Sequence, residues 1–311
     1  MIKLFFRIGI SSLLLFYVVY KVDWSVIGNA FDQINISFYI ISTIIALASP
    51  IFLAIKYHFL IRNTSLNLSI SRLVGINYIS RFYALFLPSA LGPEAVRWYK
   101  VTKNKQGKSF FLASTIFERL IFLIILLLSG TIPLFLNSGN VQIAILRQQI
   151  SPLLGGAFLL LSTGLAFFFV HDLKNKSIEF IKMHFFFLKN SKINQFLMNF
   201  EIKQNLQLII VPLFALSLLW QFFFLIRMFF LFLSLNLPIS FMDVTWMGSM
   251  VLLLQVLPVS FAGIGVREGA YAYLFTLFDM APEKGIIIGL LFFTQELIFS
   301  TIGAIINFFE K

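Results

Sequence analysis

The chain has 311 residues, 59% of them apolar and only 12% charged, with a mean hydropathy of +0.92. A soluble domain carries about twice that share of charge, and forty phenylalanines exceed what one soluble core can hide, so an integral membrane protein is the expectation. The net charge of +11 sits in loops between apolar runs, which reads as topology rather than nucleic-acid binding, and zero cysteines exclude disulfides, thiolate metal sites and cysteine nucleophiles.

In chain order, the long apolar runs are 4–20, 38–60, 110–136, 151–171, 206–233 and 285–308. Each approaches or exceeds the length of about 20 residues that crosses a bilayer as a helix. Lys3 and Arg7 before Leu13–Tyr20 resemble a signal peptide, but no small-residue cleavage site follows, so this run reads as an uncleaved first span. Two further stretches, 73–91 and 244–278, are interrupted by Gly and Pro. The connections differ in charge. Residues 98–109 hold four lysines and no acid, and 172–205 hold six lysines against three acids. The segments 21–37, 137–150 and 234–243 carry one basic residue or none.

The positive-inside rule then predicts a cytoplasmic N-terminus, with loops 98–109 and 172–205 also cytoplasmic. That requires 73–97 to dip into the membrane and return. Eight simple spans are the alternative. Within 178–200, Ile193, Phe196, Leu197 and Phe200 share a helical face, which suggests a helix lying on the membrane surface; a solvated loop competes.

One pattern repeats. Leu87-Pro88 and Leu257-Pro258 are each followed by seven residues and then Val-Arg, with Gly92 in the first motif and Gly263 and Gly265 in the second. Each follows an apolar stretch and precedes a span. The expected architecture is all-α and polytopic: six full transmembrane helices, two re-entrant broken helices, and halves 1–140 and 141–311 forming inverted repeats within one domain. Pro removes a backbone donor and Gly tolerates tight or left-handed backbone. A helix restarting after such a break presents free N–H groups and a positive dipole end. Arg97 and Arg267 fall in those first turns and favour an anion such as a phosphate head group, approached from opposite leaflets. Arginines anchoring helix ends are the competing reading. Glu118, Arg119, Glu268 and Glu296 lie inside apolar runs and are expected to face a polar interior. Arg227, near the end of its run, reads as snorkelling.

Leu87 to Arg97, Glu118-Arg119-Leu120, and above all Leu257 to Ala270 resemble the flippase-like family that includes the transmembrane region of lysylphosphatidylglycerol synthase. In the first motif Ser89, Ala90 and Pro93 stand where that family has glycines, and Glu94 stands for its aspartate. The resemblance implies lipid handling in the cytoplasmic membrane: transport of an anionic, aminoacylated or polyprenyl-linked head group past Glu94, Arg97, Glu118, Arg119, Arg267, Glu268 and Glu296. A membrane-embedded transferase using a lipid-linked donor, or a non-transporting partner of an envelope enzyme, are the alternatives. The chain ends soon after its last apolar run, so lysyl-lipid synthesis is not expected. No cofactor, ATP or nucleic acid is expected: Gln106-Gly107-Lys108-Ser109 ends like a phosphate loop but has Thr102 in place of the first glycine. His58, His171 and His184 lack metal-ligand spacing. Homo-oligomerisation is left open.

Overall fold

The computed structural model describes residues 34–87, 92–136, 141–169, 206–256 and 263–310. The first apolar run, the lysine-rich segment 172–205 with its suggested surface helix, and both motif prolines, Pro88 and Pro258, lie outside them. The described residues form ten helices: α1 Ile36–Leu47, α2 Ser49–Ile61, α3 Ile70–Ala84, α4 Gly92–Thr102, α5 Lys108–Leu136, α6 Val141–Phe169, α7 Leu206–Leu233, α8 Phe241–Val256, α9 Val266–Thr276 and α10 Pro282–Phe309. Among the described residues five units are long and apolar enough to cross a membrane: α1 with α2, α5, α6, α7 and α10.

The expected span over 38–60 is present but broken. Pro50 sits at the start of α2, where a missing N–H costs least, and the chain turns at Ala48. The expected connection 137–150 is mostly helix, because α6 starts at Val141. Arg147 donates to the Phe135 carbonyl at 3.3 Å, satisfying an acceptor at the end of α5.

The broken pairs α3–α4 and α8–α9 each have a short second arm. α4 and α9 are eleven residues long, about 16 Å of helix, against a hydrocarbon core of about 30 Å. The connections before α3 and after α4 lie together: Ser65 Oγ donates to the Gln106 carbonyl at 3.4 Å, and Leu66 packs against Gly107. The pair therefore enters and leaves at one end of the bundle, where Arg62, Lys103, Lys105 and Lys108 also lie. At the other end the Asn35 N–H donates to the Ser234 carbonyl at 2.8 Å, and Trp246 of α8 stacks on Phe278 beyond α9. So α8–α9 enters and leaves from the opposite end.

Packing is exchanged between these units. α10 lies along α3 as well as α9, and α5 lies along α8. Small residues make the close approach possible. A Cβ on Gly285 would stand 2.5 Å from the Tyr271 carbonyl carbon, and one on Gly303 would collide with the Tyr78 carbonyl oxygen. Two large apolar cores and a small third one around Ala46, Tyr78 and Phe299 result among the described residues. One of the large cores joins α2, α3, α4 and α5 around Tyr57, Phe111 and Phe117. The other joins α7, α8, α9 and α10 around Trp246, Phe275 and Phe292. The polar site lies where the two broken pairs meet.

Candidate functional site: a buried charged cavity

A cavity of about 260 Å³ is lined by the C-terminal ends of α3 and α8, the first turns of α4 and α9, and faces of α2, α5, α7 and α10. Non-helical backbone at membrane depth survives only where protein or water satisfies it. The described residues on either side of both breaks, Leu85 and Pro93 in one and Val256 and Gly263 in the other, line the cavity. Six of the charged residues singled out in the sequence line it: Glu94, Arg97, Glu118, Arg119, Arg267 and Glu296. Glu268 packs behind Arg267. Of the helix-break glycines, Gly92 is buried at the start of α4, Gly263 lines the cavity, and Gly263 and Gly265 take positive φ of 76° and 82° before α9. A side chain at either would strain that turn.

Sequence reading missed two basic lining residues, Lys56 and Arg81, along with Asn77, Gln255 and the aromatic wall of Phe122 and Trp220. The lining holds five basic side chains (Lys56, Arg81, Arg97, Arg119, Arg267) against three carboxylates (Glu94, Glu118, Glu296). Most are paired across helices. Lys56 of α2 bonds Glu118 of α5 and, at 3.3 Å, the Ser217 hydroxyl of α7. Arg81 Nη1 bonds Glu296 Oε2 at 2.7 Å. Arg119 reaches Glu94 Oε1 only at 3.4 Å, and Glu94 Oε2 is buried without a hydrogen-bond partner among the described residues.

The two motif arginines differ in how they are compensated. Arg267, 1% exposed, donates from Nε and Nη2 to Glu268 Oε1 at 3.0 and 2.5 Å. Glu268 Oε2 in turn accepts from the Gly265 N–H at 2.7 Å, so α9 caps its own N-terminus and neutralises its own arginine. Arg97, 5% exposed, hydrogen-bonds only neutral groups among the described residues, Asn77 Oδ1 at 2.8 Å and the Tyr57 hydroxyl at 3.2 Å, with the carboxylates of Glu94 and Glu118 close enough to be felt but not bonded to it. Its guanidinium also lies over the Tyr57 ring, 5.0 Å from the centroid. The two arginines line one cavity.

Arg227 does not snorkel. It is 4% exposed, bonds Gln295 Oε1 at 2.8 Å and lies 4.2 Å from the Phe292 ring centroid. The reason is its register: on α7 it faces α10 rather than lipid. Among the described residues no three His, Asp or Glu side chains cluster as a metal site would need.

An all-helical, polytopic membrane protein with a charged cavity between two broken helix pairs is the class that this fold and site define. The chain matches the family described as Lysylphosphatidylglycerol synthase TM region over residues 4–304, and belongs to it. No curated protein and no solved structure matches it.

Proposed function

We propose that the chain takes the phosphate-bearing head group of a membrane lipid into this cavity and passes it between leaflets, while the lipid tails stay in the bilayer. The observation that carries this reading is Arg97. Among the described residues this buried guanidinium hydrogen-bonds only neutral groups and no carboxylate, and an anion offers a charge-assisted partner that Asn77 and Tyr57 cannot. A phosphodiester suits the planar fork of arginine. Five basic side chains against three carboxylates leave the lining of the same space with an excess of positive charge. The cavity is small for a whole lipid and suits a head group.

Two broken pairs entering from opposite ends, with α10 on α3 and α5 on α8, support reading residues 1–140 and 141–311 as inverted halves. The gathering of Arg62, Lys103, Lys105 and Lys108 at one end supports placing that end, with the N-terminus and 172–205, in the cytoplasm. The activity on this reading is transport without catalysis, cofactor or ATP.

The test is reconstitution. Purified protein in liposomes should move head-group-labelled phosphatidylglycerol from the outer to the inner leaflet, and Arg97→Ala should not. Exchange no faster than in protein-free liposomes would sink the reading.

A further inference from the structure

Glu296, midway along α10, stands between two arginines. Its Oε2 accepts from Arg81 Nη1 at 2.7 Å, and its Oε1 lies 3.8 Å from Arg227 Nη2. Both Oε1 and Nη2 are buried, and neither has a hydrogen-bond partner among the described residues. Two complementary charged atoms thus face each other just beyond bonding distance. Leaving such groups unsatisfied in a low-dielectric interior is expensive, and a shift of about 1 Å would bring them to the ordinary length of a charge-assisted bond.

The two arginines are not alike. Arg81 lines the cavity and keeps 32% of its side chain exposed. Arg227 is outside the lining, held at Nε by Gln295 and against the face of Phe292. One is free to change partners and the other is fixed.

We propose that Glu296 is handed from Arg81 to Arg227 when a phosphodiester anion enters the cavity. The hand-off frees Arg81 to join Arg97 as a second ligand of the phosphate, and Arg227 is the positioning residue that makes it possible. One carboxylate–guanidinium contact replaces another, so the exchange within the protein is close to neutral. The anion gains a second fork, and no proton or covalent bond moves. This inference rests on the phosphate-binding reading above and specifies how that site closes.

The experiment is a cycle of binding measurements on the purified full chain in nanodiscs. The probes are dioctanoyl-phosphatidylglycerol and, separately, soluble glycerophosphoglycerol, the same phosphodiester without its tails; binding of the first alone assigns the site to a lipid, and binding of both assigns it to the phosphodiester itself. Glu296→Gln, which lets Arg81 go, should tighten binding by about ten-fold, within the usual range of coupling between sites. Arg227→Gln should weaken it by a similar factor. In the Glu296→Gln background, Arg227→Gln should cost less than about two-fold, because nothing remains to hand over. Equal losses from Arg227→Gln in both backgrounds would make Arg227 merely structural and overturn the proposal. Should Arg227→Gln fail to fold, Glu296→Gln decides against Glu296→Gln with Arg81→Gln: the tightening must appear in the first and vanish in the second, and no tightening overturns the proposal. Wild-type protein that binds neither probe overturns the phosphate reading itself, a result distinct from binding without coupling.

Discussion

Arg97 lies in the second turn of α4 and Arg267 in the first turn of α9, two eleven-residue helices of pairs that enter the bundle from opposite ends, and of the two only Arg267 hydrogen-bonds a carboxylate among the described residues. The difference separates the consequences of losing each. Arg267→Ala strands Glu268 in the interior, and breaking a buried pair in that way costs about 3–5 kcal/mol. Arg97→Ala removes a charge whose partners are neutral, so the fold should survive while lipid transfer is lost. Thermal unfolding in detergent beside transfer in liposomes checks both. A stable, fully active Arg97→Ala variant would remove that residue from the mechanism.

Lys at position 97 is a sharper probe. It keeps the charge but offers a point in place of a fork. Arg97→Lys should therefore retain only part of the transfer rate. Full activity would mean that position 97 supplies potential alone.

Lys56 and Glu118 form an ion pair with side chains 2% and 8% exposed, beside Phe122 and Trp220. Glu118→Gln should destabilise, because it leaves Lys56 buried without its counter-charge. The double change Lys56→Met with Glu118→Leu should recover much of the loss, as apolar replacement of a buried pair often does. The measurement is the melting temperature of the wild-type protein and of both variants. A double variant no better than the single one would show that the pair is held for more than its charge.

Gly303 meets the Tyr78 carbonyl so closely that any Cβ must push α10 away from α3. Gly303→Ala should cost about 1–3 kcal/mol, the usual cost of overpacking. It should also impair transfer, because Glu296 and Ser300 ride on the same helix and line the cavity. Normal stability in this variant would mean that α10 is free to shift.

Topology is directly testable, since the chain has no cysteine. Single cysteines at Ser65 and Gln106, which lie together and exposed, should label from one side of a sealed vesicle. Cysteines at Asn236 and Asp279, exposed at the other end, should label from the opposite side. Ser65 and Gln106 reacting from different sides would mean that α3–α4 crosses the membrane.

Much of this was legible because membranes make charge conspicuous. Glu118, Arg119 and Glu296 announce themselves inside apolar runs, and all three line the cavity. The two Pro–Gly motifs mark the breaks because few other residues interrupt a span. Lys56 and Arg81 escaped notice for a physical reason. Their partners are 62 and 215 positions away in sequence, and no local pattern records such a pairing. The same distance hid the asymmetry between Arg97 and Arg267. Glu268 is adjacent to Arg267 in sequence, but the neutral groups around Arg97 come from α2 and α3. Arg227 was misjudged because position along a span sets depth, whereas its register around the helix sets the face it presents.

The turn at Ala48 has a mechanical side. Immediately after it, the Pro50 carbonyl accepts from Asn77 Nδ2 at 2.9 Å, and Asn77 Oδ1 accepts from Arg97 Nε at 2.8 Å. The amide of Asn77 is thus a rigid strut between a joint in one span and the guanidinium of a short helix. Any change of angle between α1 and α2 that displaces Pro50 pulls on that strut and re-aims Arg97. The same strut runs in reverse: on the lipid-binding reading, an anion that drew Arg97 toward itself would load the joint through Asn77, as one arm of a lever loads the other.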